Sequence, residues 1–170
     1  SSQYVSGLLM ALTSLENRFK IELIDEPVSK KFITMTLNAL IDLGAQINDI
    51  NNGWYVGGGW DNHVMIEIEP DATAMSYPLA LSYINGMSLK FSNKLSNSIQ
   101  GDYNINKNIF EKLGGTISKS FNYLTFEPPK NRQEYISKQY CFDLDSSDTF
   151  LTWACFAGCF SLFILKLTRF

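Results

Sequence analysis

The sequence predicts an α/β fold built from repeated units, and three observations carry that prediction. An apolar stretch at helical spacing that closes on a glycine occurs twice, at Gly44 and Gly114, 70 positions apart. Upstream of each glycine the order of elements is the same, an apolar helix and then a short strand. Downstream of each comes a strand-forming run, Ala45-Gln46-Ile47 in the first copy and Gly115-Thr116-Ile117 in the second. Each copy therefore reads helix, strand, helix, strand. With 45% apolar residues, a chain of 170 residues can bury a core as one domain or as pieces of two.

The elements follow in order. Ser1-Ser2-Gln3 runs straight into an apolar stretch that ends at Leu12, with no initiator Met, no lead-in and no signal peptide, so the chain reads as starting inside something larger. Hydroxyl and amide groups at such a helix start can form an anion site with the unpaired first N–H groups, but this stretch alone reads first as Ser2 capping the helix. A strand is expected over residues 19–23 and a helix from Phe32 to Leu43. Further strands are expected over 54–57 and over 63–69, where the lone His63 occupies an ordinary surface position without chemistry. Glu69-Pro70-Asp71 pairs a strand-ending proline with an acidic cap, which makes it a crossing point between domains. In the second copy a helix over 72–84, strands over 87–91, 122–126 and 139–142, and a third helix from Asp148 complete the reading.

Composition narrows the function. Fourteen basic against 17 acidic residues, with no block of like charge, argue against a nucleic-acid or anionic-membrane surface and for a small ligand. Cys141, Cys155 and Cys159 lack the paired spacing and nearby His of a zinc site and read as reduced core thiols of a cytosolic protein. The apolar run over 150–165 is shorter than the roughly 20 residues a membrane-spanning helix needs, and is expected to be a buried helix followed by an aberrant extension.

Five phrases in order resemble the 5-enolpyruvylshikimate-3-phosphate synthase family. They are Ser1-Ser2-Gln3-Tyr4; Val28-Ser29-Lys30-Lys31-Phe32-Ile33-Thr34-Met35-Thr36-Leu37; Glu69-Pro70-Asp71-Ala72-Thr73-Ala74-Met75-Ser76-Tyr77; Ser98-Ile99-Gln100-Gly101-Asp102; and Asp148-Thr149-Phe150-Leu151-Thr152. The resemblance covers residues 1 to about 158. It implies the enolpyruvyl transferase fold, a two-domain inside-out α/β barrel with three α/β units per domain, of which this chain holds an incomplete set. Residues 1–69 would be the end of the N-terminal domain and 70–170 the start of the C-terminal one. It further implies a transferase that moves the enolpyruvyl group of phosphoenolpyruvate onto the 5-hydroxyl of shikimate 3-phosphate, releasing phosphate through a tetrahedral intermediate, without metal or organic cofactor.

Carried over by that resemblance, Ser1, Ser2 and Ser29 would hold the phosphate of shikimate 3-phosphate, and Gln3 would touch both substrates. Hydroxyls and an amide suit this task because they add no titratable charge. Asp148 would contact the ring hydroxyls and act as base for the attacking 5-hydroxyl. As an N-cap of the third helix it can fill both roles. Asp71, Ser76, Gln100 and Asp102 read mainly as structural, capping helices and shaping turns. Phe32 stands where the family carries Tyr, which removes a phenol hydroxyl from the site. The family's Lys-Glu-Thr-Asp-Arg type motif and its phosphate-holding arginines are absent from this sequence. The chain by itself is therefore expected neither to bind phosphoenolpyruvate appreciably nor to turn over. The rival reading is a truncated or degenerate relative that keeps the fold as a binding or interaction module. A sibling class acting on a UDP-amino sugar shares the fold but would not be expected to carry the Ser-Ser-Gln pattern.

Overall fold

Ser14–Asn17 leaves the chain four residues in which to turn from α1 (Ser2–Thr13) into β1 (Arg18–Glu22), so the strand runs back along the helix. The computed structural model describes residues 2–27, 29–60, 65, 67–144, 147–160 and 164–167. It divides into two compact units, Ser1–Ile68 and Glu69–Arg169.

In the first unit α2 (Lys30–Asp42), β2 (Ala45–Ile50) and β3 (Gly53–Trp60) follow α1 and β1. The sheet order is β1-β3-β2, with both outer strands antiparallel to β3 and registers Ile21↔Trp54 and Ile47↔Val56. Leu9 from α1, Ile33 and Leu40 from α2, and Ile21, Ala45 and Val56 from the sheet form its buried core. β3 carries three successive glycines at positive φ, and at Gly57 its backbone crowds the α1–β1 turn. A Cβ on Gly57 would lie 2.0 Å from the Asn17 carbonyl oxygen. The N–H groups of Gly58 and Gly59 both donate to the Leu15 carbonyl, at 2.9 and 3.0 Å.

The second unit repeats this plan. α3 (Ser76–Asn85), β4 (Leu89–Ser92), α4 (Asp102–Lys112), β5 (Thr116–Lys119) and β6 (Tyr123–Glu127) build a sheet of order β4-β6-β5, again antiparallel to the last strand. The 70-residue offset holds in detail. Leu43 and Leu113 donate to Ala39 and Ile109 at 3.0 Å, and Gly44 and Gly114 then turn the chain at φ 86° and 78°. Buried Leu9, Thr13, Leu40 and Val56 are followed 70 positions on by buried Leu79, Tyr83, Phe110 and Phe126. Downstream lie α5 (Arg132–Ile136), β7 (Cys141–Leu144), α6 (Ser147–Gly158) and β8 (Ile164–Leu167), with β8 parallel to β7. The core here is aromatic: Tyr83, Phe110 and Phe156 meet edge to face at 5.5–6.0 Å, and Trp153 meets Phe156 at 5.3 Å.

Four expectations are corrected. The helix expected over 72–84 begins only at Ser76, because Asp71 Oδ1 accepts from the N–H groups of Thr73 and Ala74 and fixes 72–75 as turns. Of the strand expected over 63–69, Met65 and Glu67–Glu69 have no regular structure. Met65 and Ile68 are almost fully exposed, so their alternation meets no partner strand. His63 lies outside the described residues. The three cysteines are unpaired but exposed; on α6, Thr152, Trp153 and Phe156 take the core-facing side and leave Cys155 on the other. The extension is part of the fold: α6 stops at Gly158 and residues 164–167 pair with β7. Among the described residues no helix is long and apolar enough to cross a membrane.

Tyr83 yields a test of the second core. Its hydroxyl donates to the Leu113 carbonyl at 2.7 Å, and burial pushes the phenol well above its ordinary value of 10.0. The unfolded chain therefore loses this proton first, so stability holds below about pH 10 and falls above it, by up to ~1.4 kcal/mol per pH unit for one such group. Tyr83→Phe is expected to cost ~1–2 kcal/mol at neutral pH by stranding the carbonyl, and to flatten the alkaline decline. Urea midpoints against pH check this, and equal slopes in both proteins would contradict it.

Candidate functional site

In the first unit β1 and β2 both run antiparallel to β3, so they run parallel to each other, and α1 and α2 both run back against them. The two helices lie side by side in the same sense, tied where Thr36 Oγ1 donates to Ser6 Oγ at 2.9 Å. Their N-termini therefore share one end of the unit, and with them Ser2, Gln3 and Ser29. Ser2 is buried in the first turn of α1 and Gln3 is exposed. Ser1 lies outside the described residues. Neither helix carries an acidic residue in its first turn, which leaves the positive ends of both dipoles unneutralised from within.

Ser29 is the one non-glycine residue at positive φ among the described residues, at φ 63° and ψ 49°. Helix caps ordinarily sit in the extended region with the hydroxyl folded onto the N2 or N3 amide. Here the backbone is left-handed, and the hydroxyl makes no capping bond to α2. A serine in this conformation costs roughly 1–2 kcal/mol, the kind of strain that collects at ligand sites.

The charges nearby are few. Lys30 pairs with Glu26 at 2.7 Å, and Lys31 Nζ lies 5.5 Å from the centroid of the half-exposed Phe32 ring. Farther away, Lys20 is bound to Glu22, whose hydrogen bond raises its pKa, and Arg18 donates to Asn48. A cavity of about 430 Å³ lies beside α2 and not on these serines. Its lining includes apolar Leu23, Pro27, Ile33 and Trp54 and charged Asp25, Glu26, Lys30 and Asp49. Three acidic residues against one lysine give that lining the wrong sign for a phosphate.

In the second unit Asp148 is the second residue of α6. The residues read as structural each make defined bonds. Gln100 Oε1 accepts from Ala72 N at 2.9 Å while its Nε2 donates to Glu69 Oε1 at 3.1 Å, and Glu69 Oε2 accepts from Ile99 N at 3.2 Å. Ser76 and Thr152 share a buried hydroxyl contact at 2.8 Å. Sequence reasoning missed Thr149, Asn106 and Trp153. Thr149 Oγ1 donates to buried Asp102 Oδ1 at 2.5 Å, and Trp153 Nε1 to Asn106 Oδ1 at 2.8 Å. The shared spacing of 102/106 and 149/153, one helical turn on each element, is the signal that could have revealed them. Among the described residues no cluster of three or more His, Cys, Asp or Glu side chains could hold a metal ion.

Comparison with known proteins matches residues 1–139 to the family described as EPSP synthase (3-phosphoshikimate 1-carboxyvinyltransferase). The chain is 35% identical over 133 residues to the 3-phosphoshikimate 1-carboxyvinyltransferase of Actinobacillus pleuropneumoniae, covering 76% of this chain and 30% of that protein. It is 31% identical over 152 residues to the protein of the same name from Neisseria meningitidis, covering 86% and 33%. It is 32% identical over 165 residues to the pentafunctional AROM polypeptide of Pneumocystis carinii, covering 93% and 10%. The chain thus spans between a tenth and a third of the length of these relatives. Among solved structures it resembles the enolpyruvyl transferase NikO from Streptomyces tendae, with a TM-score of 0.59 at 15% identity over 96% of this chain and 39% of that one. At that identity the likeness speaks for the fold.

Proposed function

The chain belongs to the EPSP synthase (3-phosphoshikimate 1-carboxyvinyltransferase) family, and from that premise we propose that it supplies part of the site that transfers the enolpyruvyl group of phosphoenolpyruvate to the 5-hydroxyl of shikimate 3-phosphate. In this reading residues 1–69 end the N-terminal domain and 70–170 begin the C-terminal one. Ser1, Ser2 and Ser29 bind the sugar phosphate, Gln3 contacts both substrates, and Asp148 takes the proton of the attacking hydroxyl. The observation that carries the reading is the left-handed Ser29, whose hydroxyl leaves its own helix uncapped at the end where α1 also starts.

The chemistry asks for little else from this part of the protein. A hydroxyl becomes a nucleophile as a carboxylate within hydrogen-bond reach accepts its proton. It adds to C2 of phosphoenolpyruvate while the double bond takes up a proton at C3, and loss of a C3 proton then restores the double bond as the C2–O bond to phosphate breaks. Serine hydroxyls and helix N–H groups fix the acceptor so that its 5-hydroxyl meets the enolpyruvyl carbon. The remaining charge on two phosphorylated substrates calls for arginines and lysines that this chain does not contribute. We put the reaction in the cytoplasm, in a stand-alone monomer or within a multifunctional polypeptide; similarity to the pentafunctional AROM polypeptide supports the second. The non-catalytic reading explains nothing in the comparisons that the enzymatic one leaves out.

The test is release of inorganic phosphate from phosphoenolpyruvate and shikimate 3-phosphate. The full-length protein is expected to release it steadily and the 170-residue chain not at all. A full-length protein that releases none would end the enzymatic reading.

A further inference from the structure

The buried polar contacts of the second unit follow a pattern that packing alone does not require. Asp102 and Asn106 lie one turn apart on α4, and Thr149 and Trp153 lie one turn apart on α6. The bonds run in register, Thr149 Oγ1 to Asp102 Oδ1 at 2.5 Å and Trp153 Nε1 to Asn106 Oδ1 at 2.8 Å, so the first two turns of α6 are locked against α4 in one sense and one register. All four residues are buried. A hydrophobic interface tolerates sliding and rotation of a helix by fractions of a turn. Two directional bonds in succession do not, because a slip strands a buried carboxylate and a buried amide.

The lock extends beyond α6. Asn106 Nδ2 donates to the Ala72 carbonyl at 2.9 Å, so the residue that holds Trp153 also holds the turn after Asp71. Asp102 opens α4, and Thr149 brings a hydroxyl donor to its carboxyl group. Thr149 directly follows Asp148 in the chain.

We propose that Asp102 and Thr149, with Asn106 and Trp153 one turn on, are positioning residues that fix the start of α6 and thereby set where Asp148 stands. The inference rests on the functional reading only in giving Asp148 a reaction to serve. Its physical content is that a threonine hydroxyl on a buried carboxylate controls the backbone of the proposed base. A displacement of about 1 Å at such a group can cost on the order of a hundredfold in rate.

The test takes Thr149→Val, which keeps the shape and removes the hydroxyl, with Thr149→Ser as the variant that keeps it, and Trp153→Phe for the second bond. In the 170-residue chain, amide hydrogen exchange in the first two turns of α6 is expected to speed up by about tenfold or more in Thr149→Val and in Trp153→Phe, with α4 and the β4-β6-β5 sheet unchanged. Thr149→Ser is expected to stay within about threefold of the parent. In the full-length protein, Thr149→Val should lower kcat about 10- to 100-fold with KM for both substrates within about threefold, and Thr149→Ser should restore it. Unchanged exchange in Thr149→Val overturns the lock. Faster exchange with unchanged kcat overturns the positioning role. A parent protein without turnover overturns the functional reading instead, and the exchange measurement then decides the lock without it.

Discussion

Phe126→Ala is expected to destabilise the second unit by about 3–5 kcal/mol, the largest stability loss among the substitutions considered. The ring is fully buried at the centre of the β4-β6-β5 sheet, with edge-to-face contacts at 5.4 Å to both Phe91 and Phe110. Truncation removes the transferred surface and leaves a cavity that two rigid rings cannot close. Val56 occupies the place 70 positions earlier and is buried to the same degree, but Val56→Ala removes only two methyl groups and should cost about 2 kcal/mol. Guanidinium denaturation of the two variants, followed by tryptophan fluorescence, measures both losses. A loss below about 1 kcal/mol for Phe126→Ala would mean that the two units are not built on equivalent cores.

That equivalence shows how much of the fold could be read in advance. Gly44 and Gly114 announced themselves because a helix that must end in the left-handed region strongly favours glycine, and the apolar spacing before each could come only from a helix face. The strands after them were legible for the same local reason. One miss was local, the turn at Asp71 that delays α3 to Ser76, and the others depended on distant partners. The alternation over 63–69 has strand character, yet Met65 and Ile68 find nothing to cover them. The cysteines were assigned to the core by residue type, but which face of α6 turns inward is set by Trp153 and Phe156 packing on Tyr83 and Asn106.

The candidate site divides along the same line. Its serines and Asp148 were named from motifs, whereas their setting was not visible. The Asp102–Thr149 bond joins residues far apart in sequence, and a short strong bond between a carboxylate and a hydroxyl leaves no composition signal. Phe32 illustrates the converse. The missing phenol was readable at once, but its partner, the Lys31 ammonium over the ring face, depends on the rotamers of two neighbouring side chains.

Ser29 offers the substitution in which stability and binding should part, and its effect on ligand affinity should be the largest at the site. Ser29→Gly removes the Cβ that makes φ 63° costly, so the folded state loses strain while the unfolded chain gains freedom. The net change should be small and favourable, within about 1 kcal/mol. The same substitution deletes a hydroxyl that makes no capping bond to its own helix. If that hydroxyl donates to the phosphate of shikimate 3-phosphate, its loss is a charge-assisted bond of about 1.5–3 kcal/mol, or roughly 10- to 100-fold in Kd. Ser29→Val tests the backbone separately, since a branched side chain fits this region poorly and should lower stability by more than about 1 kcal/mol while also losing the hydroxyl. Calorimetric titration of the full-length protein with shikimate 3-phosphate, beside its thermal unfolding, reads both quantities. A glycine variant that is more stable and binds much more weakly is what a strained ligand residue produces. A glycine variant that is more stable and binds equally well would remove Ser29 from the site and leave its left-handed backbone a matter of chain geometry between Pro27 and α2.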